Sequence, residues 1–135
     1  MVGIAMLERL VYRSIAGPDL GLGEVETIVE QSEENNRERS ITGFLIYDGG
    51  RFLQVLEGSP GDIDLLMRVI EADARHGQVE VLERAVVTER WFPSWDMKHV
   101  LTFQGVPALE AVRAQVRGKD GGRELVALTE EFVTA

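Results

Sequence analysis

Few side chains in this sequence can do chemistry, and they are spaced in a pattern. Gln54 stands mid-way along an apolar run, between Phe52, Leu53, Val55 and Leu56. A primary amide has two donors and an oxygen with two lone pairs, so a buried one must find partners. Tyr12 and Ser14 lie two apart in "RLVYRS". Asn35 and Asn36 close the stretch "SEENN". Trp95 and Met97 lie two apart in "SWDM". Each has a plain structural use. Asparagine caps helix ends. Strand tyrosines pack in cores with the hydroxyl at the rim. Tryptophan and methionine at period two fill cores. Gln54 alone is an expensive filler unless paired.

Other chemistries find little support. The 135 residues contain no cysteine, which removes disulfides, thiol nucleophiles and the usual structural zinc sites. The two histidines, His76 and His99, have no matching ligand pair, so no metal site is expected. "GLGEVE" has two of the three glycines of a dinucleotide fingerprint. There is no Walker A motif and no G-x-S-x-G elbow. Glu57 reads as a lone carboxylate at a strand end, solvated or bonded to backbone. No nucleophile is paired with a base, so an enzyme is not expected. Net charge is −9, from 14 basic and 23 acidic residues, which argues against nucleic acid and anionic membrane as partners. No apolar run approaches the roughly 18 residues of a membrane span. The start "MVGIAMLERL" is too short and acidic for a signal peptide, so the expected location is cytoplasmic.

The elements that must position these residues follow from periodicity. "LERLVYRSIA" predicts a strand with Leu10, Tyr12 and Ser14 on one face and Val11 and Arg13 on the other. Residues 24–36 predict a helix with Val25, Ile28, Val29 and Ser32 near one face. "SITGFLIYDGG" and "RFLQVLEG" predict a hairpin across a glycine turn. Ser59 as N-cap, Pro60 and Asp62 predict a helix start, and Ile63, Leu66, Met67, Ile70 and Ala74 mark its apolar face. Strands are expected over 78–89 and 95–103, and two short helices in the tail, with stripes Leu109/Val112/Val116 and Leu125/Leu128/Phe132. The order βαββαββ predicts an α+β, ferredoxin-like sheet with two helices on one face. The hairpin strands are apolar on both sides, so the tail helices or a partner chain must cover the other face. A domain over 1–103 is expected, with 104–135 as a helical extension packed on it.

If the hairpin strand lies beside the first strand, Tyr12 and Gln54 face one cleft between the two helices. Ile28 and Ile70 would wall it, and Asn35 and Asn36 would rim it. Such a slot fits a flat heterocycle with carbonyl and imide edges.

Over residues 7 to 103 the chain resembles the BLUF family of blue-light sensors that use FAD. "RLVYRS", "SEENNRERSITGFLIYDGGRFLQVLEG", "EADARH" and "RWFPSWDM" carry the resemblance, in the family's order. It implies that Tyr12 donates an electron to excited flavin and that Gln54 sits between Tyr12 and the flavin edge. It implies that Asn36 bonds the flavin carbonyl and imide, with Asn35 a more variable partner. Ile28 and Ile70 would sandwich the ring. Arg75 would meet the polar edge or chain, with Asp73, His76 and Ser14 nearby. Trp95 and Met97 would be the pair whose exchange near the glutamine switches output. FAD is the implied cofactor; FMN and riboflavin fit the same ring contacts. Two positions depart from relatives: Val69 stands where some carry an arginine, with Arg68 beside it, and Asp96 stands where many carry serine. With no effector attached, output is expected to pass to a downstream protein or through a homo-oligomer. The rival readings are a light-insensitive ferredoxin-like ligand-binding or interaction module, and an acylphosphatase-like hydrolase, which would want a phosphate loop that the sequence lacks.

Overall fold

The computed structural model describes residues 6–18, 40–93, 95 and 105–134. They form β1 (Leu7–Ala16), β2 (Thr42–Asp48), β3 (Arg51–Gly58), α1 (Pro60–Ala72), β4 (His76–Val87), α2 (Gly105–Gln115) and α3 (Gly122–Thr134). The strands make one antiparallel sheet in the order β2-β3-β1-β4. That order is the ferredoxin-like one expected. The helix expected over 24–36 lies outside the described residues, and so does the strand expected over 95–103 beyond Trp95. So do Ile28, Asn35, Asn36, Asp96 and Met97.

Local chemistry explains the joints. Gly49 and Gly50 take φ of 60° and 78° between β2 and β3. Two successive positive φ values suit a two-residue type I′ turn, which glycine adopts at no steric cost. At the start of α1, Ser59 Oγ accepts from Asp62 N at 3.3 Å, and Pro60 opens the helix. Ile63, Leu66 and Met67 are its buried residues.

Period-two alternation then divides the sheet into two cores. On one face Leu10, Tyr12, Leu45, Phe52 and Leu56 pack with Ile63, Leu66 and Met67 of α1. On the other, Val11, Phe44, Ile46, Leu53 and Val55 pack with Trp91, Phe92 and residues of α2 and α3. Leu109, Val112, Val116, Leu125 and Phe132 are all buried, and Leu128 is half-buried, so the tail stripes find the surface they need. Arg51 on β3 fastens α3, donating from Nη2 to the Phe132 carbonyl at 2.7 Å.

β4 begins and ends two residues earlier than expected. Its start is drawn back because β1 pairs as far as Ala16 with His76, while Gly17 N donates to Arg75 O at 2.9 Å. Past Val87 the chain leaves the sheet, and the backbone N–H groups of Trp91 and Phe92 turn to the carboxylate of Glu57.

Candidate functional site

β1 and β3 are paired so that Tyr12 lies directly opposite Gln54, and Gln54 lies opposite Leu45 on β2. Side chains of directly opposed residues share a face and touch. The Tyr12 hydroxyl donates to Gln54 Oε1. Both residues are 3 % exposed. With Oε1 taken by Tyr12, the amide NH2 is the group turned to other partners.

Burial pushes the Tyr12 hydroxyl well above the ordinary tyrosine pKa, and the negative charge of Asp73 adds to the shift. The phenol is therefore held neutral, with its proton on the bond to Gln54.

The end of α1 supplies the polar rim. Ile70 is half-buried against the Tyr12 core. Asp73 receives Arg75 Nε at 2.9 Å and Nη2 at 2.6 Å, and its Oδ1 also accepts Arg75 N at 2.9 Å. This hydrogen bonding from Arg75 holds the Asp73 carboxyl below its ordinary pKa, against the opposing effect of burial; the charge of Arg75 helps. His76 Nε2 lies 2.6 Å from Ile70 O, and Nδ1 lies 2.7 Å from Ser14 Oγ. A carbonyl can only accept, so Nε2 carries the hydrogen. In the neutral ring Nδ1 then accepts from the Ser14 hydroxyl. Both ring nitrogens are engaged with protein, so His76 orients Ser14 and closes the C-terminal end of α1.

Trp95 is placed elsewhere. Its ring packs edge-on to Phe44 (6.2 Å between centroids) and tilted against Phe92 (4.9 Å), on the face opposite Tyr12 and Gln54. Its carbonyl accepts from Gly43 N at 3.0 Å on the β2 edge.

The residues that can be described fit one side of a flavin slot. Flavin is flat, with broad faces and one edge of alternating carbonyl and N–H groups. Here a buried amide and phenol lie beside a branched apolar side chain and a charged pair. A cleft of about 590 Å³ also opens by Arg9, Val86, Glu89, Trp91, Arg117 and Lys119, but it contains no part of the Tyr12–Gln54 pair. Among the described residues no group of three or more His, Cys, Asp or Glu could hold a metal ion. No described helix is long and apolar enough to cross a membrane.

The model of the family "BLUF: Sensors of blue-light using FAD" matches residues 7–98. The chain belongs to the BLUF family. It is 37 % identical over 83 residues to photoactivated adenylate cyclase subunit beta of Euglena longa, covering 60 % of this chain and 10 % of that one. The BLUF match thus spans about a tenth of that curated relative. A dark-state structure of BlrB, a BLUF protein, superposes with a TM-score of 0.72 at 29 % identity, over 94 % of this chain and 98 % of that one. Klebsiella pneumoniae BlrP1 with FMN and cyclic diGMP gives a TM-score of 0.77 at 28 % identity, over 93 % of this chain and 35 % of that one. The BLUF cofactor is a flavin, FAD by the family's definition.

Of the two readings of Glu57 the backbone-bonded one holds, but the side-chain partners around it escaped the sequence reading. Glu57 is 0 % exposed, neither solvated nor alone. It accepts from Arg9 Nε at 3.0 Å, Thr42 Oγ1 at 3.1 Å, Trp91 N at 2.7 Å and Phe92 N at 2.9 Å. The available signal was an acid in a strand apolar on both faces, with an arginine in the strand expected beside it.

Proposed function

We propose that the chain is a blue-light photoreceptor in which Tyr12 and Gln54 carry the light response. The observation behind this reading is the buried Tyr12–Gln54 hydrogen bond at the centre of a BLUF sheet. When bound, the flavin supplies blue absorption and an excited state that accepts an electron. Tyr12 would give up that electron, and because it is held as a neutral phenol its proton is there to leave with it. Loss of an electron makes a phenol strongly acidic, and Gln54 Oε1 is the acceptor already in line for its proton. Gln54 can present either oxygen or nitrogen to Tyr12, so the pair has two hydrogen-bonded arrangements, which a switch requires.

Ile70 would wall the ring and Asn36, Asn35 and Ile28 would complete the site, as the family resemblance implies. Arg75, held by Asp73, offers a cation to the cofactor's polar portion. Ser14 and His76 brace that end. Trp95 and Met97 would take part in output. FMN or riboflavin would serve as well as FAD, a reading supported by FMN in the BlrP1 structure. Residues 1–103 form the flavin domain and 104–135 an extension packed on it. We assign no catalytic activity to it. Its output passes to a downstream protein or to further copies of the chain, and it works in the cytoplasm.

The test is an absorption spectrum of the purified protein before and after blue light. A yellow protein with a red shift that reverses in the dark is expected. A protein that rejects flavin, or binds it without a light response, would overturn the proposal.

A further inference from the structure

Glu57 is a buried acid that the proposed photochemistry does not use, and its contacts run one way. The carboxylate grips two consecutive backbone N–H groups, Trp91 through Oε2 and Phe92 through Oε1. Arg9 holds it from β1, Thr42 from β2, and Arg90 Nη1 caps the Glu57 carbonyl at 2.9 Å. Beyond the grip the path to Trp95 is short and closed. Trp95 N donates to Phe92 O at 3.1 Å. Trp95 O then accepts from Gly43 N on β2. Hydrogen bonds at Trp91, Phe92 and Trp95 thus tie Trp95 both to the Glu57 grip and to β2.

We infer that Glu57 is the positioning residue that fixes which face of the sheet Trp95 occupies. Bringing the Trp95 ring from the Phe44–Phe92 side to the side of Gln54 requires its backbone to turn over or to shift along the β2 edge, off its bond to Gly43 N. Either one pulls the Trp91 and Phe92 amides off the carboxylate. A carboxylate only accepts, and its two oxygens meet four donors here, so the grip has a single arrangement. Gln54 lies three residues before Glu57 on the same strand, with its side chain on the opposite face. A displacement of β3 at Gln54 therefore reaches the Trp95 segment through Glu57. The functional weight of this lock rests on the reading that Trp95 takes part in output.

The experiment is an NMR spectrum of the flavin-loaded protein in the dark, with ¹⁵N in the indoles. The sequence has two tryptophans, so two indole resonances are read, and Trp95→Phe assigns them. The wild type should show one Trp95 resonance. Glu57→Gln puts an NH2 against a backbone N–H, and Trp95 should then shift or split into two populations. Thr42→Val removes one donor to Oε1 in a half-exposed position and should give the same change at smaller amplitude, which keeps the test decisive if Glu57→Gln does not fold. A Trp95 resonance unmoved in the folded variants, even with lowered melting temperature, would overturn the lock and leave Glu57 a purely structural acid. The measurement is made without light. A wild type with no red shift would count against the photoreceptor reading alone.

Discussion

The two faces of the sheet share their strands but not their contents. The face toward α2 and α3 is filled by Val11, Phe44, Ile46, Leu53 and Val55, with Trp91, Phe92 and Trp95 laid across them. Its polar contacts sit at the ends, around Glu57 at one and where Arg51 meets the Phe132 carbonyl at the other. The face toward α1 carries a phenol and an amide at its centre, bonded to each other. One face is closed by apolar packing and pinned by hydrogen bonds at its ends, and its role is to hold. The other keeps a hydrogen-bonded polar pair almost out of reach of water, where an unmade bond is costly. Alternation along β1 and β3 lets one pair of strands serve both purposes. Tyr12 sits next to Val11, and Gln54 next to Val55.

Phe44→Ala should give the largest loss of stability. Its ring is fully buried and meets Phe92 edge-on at 5.2 Å. Removing a buried phenylalanine ring costs about 3–5 kcal/mol. A denaturant titration should show that loss, with any protein still folded keeping its light-minus-dark spectrum. A loss below about 1 kcal/mol would mean that this face is not the rigid one.

Gln54→Leu should cost less and abolish more. Leucine suits an apolar strand, but the Tyr12 hydroxyl loses its acceptor, a penalty of about 1–3 kcal/mol. The variant should fold and bind flavin, since the walls and the Arg75–Asp73 pair remain. It should show no dark-reversible red shift, because leucine neither relays a proton nor has a second hydrogen-bonded state. A folded yellow variant that still shifts red would remove Gln54 from the mechanism.

What could be read from the sequence follows the same division. Tyr12 and Gln54 stood out because polar groups interrupt an apolar alternation, and the glycine pair fixed the hairpin that carries Gln54. The helix caps at Ser59 and the 3.6-residue stripes of the tail were equally local. The Arg9–Glu57 pair was not, since each is ordinary in its own stretch and they meet only once β1 and β3 are in register. The face taken by Trp95 was hidden for the same reason. Alternation says which residues share a face, and a distant contact decides which face it is. The ends of β4 were misjudged because register shifts against β1, with Gln78 at φ 52°, interrupt the regular count.

The smallest expected effect isolates the Tyr12 hydroxyl from its ring. Tyr12→Phe keeps the packing on the α1 face and should keep flavin bound while losing the red shift. It also removes a titrating group. Burial raises the Tyr12 pKa in the folded protein above the value of about 10 it has when unfolded. A raised pKa means that the folded state holds the proton longer. The associated stability is fully present below pH about 10 and is lost as pH rises toward the folded pKa. The stability difference between wild type and Tyr12→Phe should therefore be flat from pH 7 to 9. Above pH about 10 it should turn against the wild type with a limiting slope of about 1.4 kcal/mol per pH unit. Ionisations common to both proteins cancel in the difference. Urea titrations of the two proteins across that range measure it. A difference that stays constant to pH 11 would mean that the Tyr12 hydroxyl ionises in the folded protein as it does in the unfolded chain. The α1 face would then lack the dry polar centre that sets it apart from its opposite.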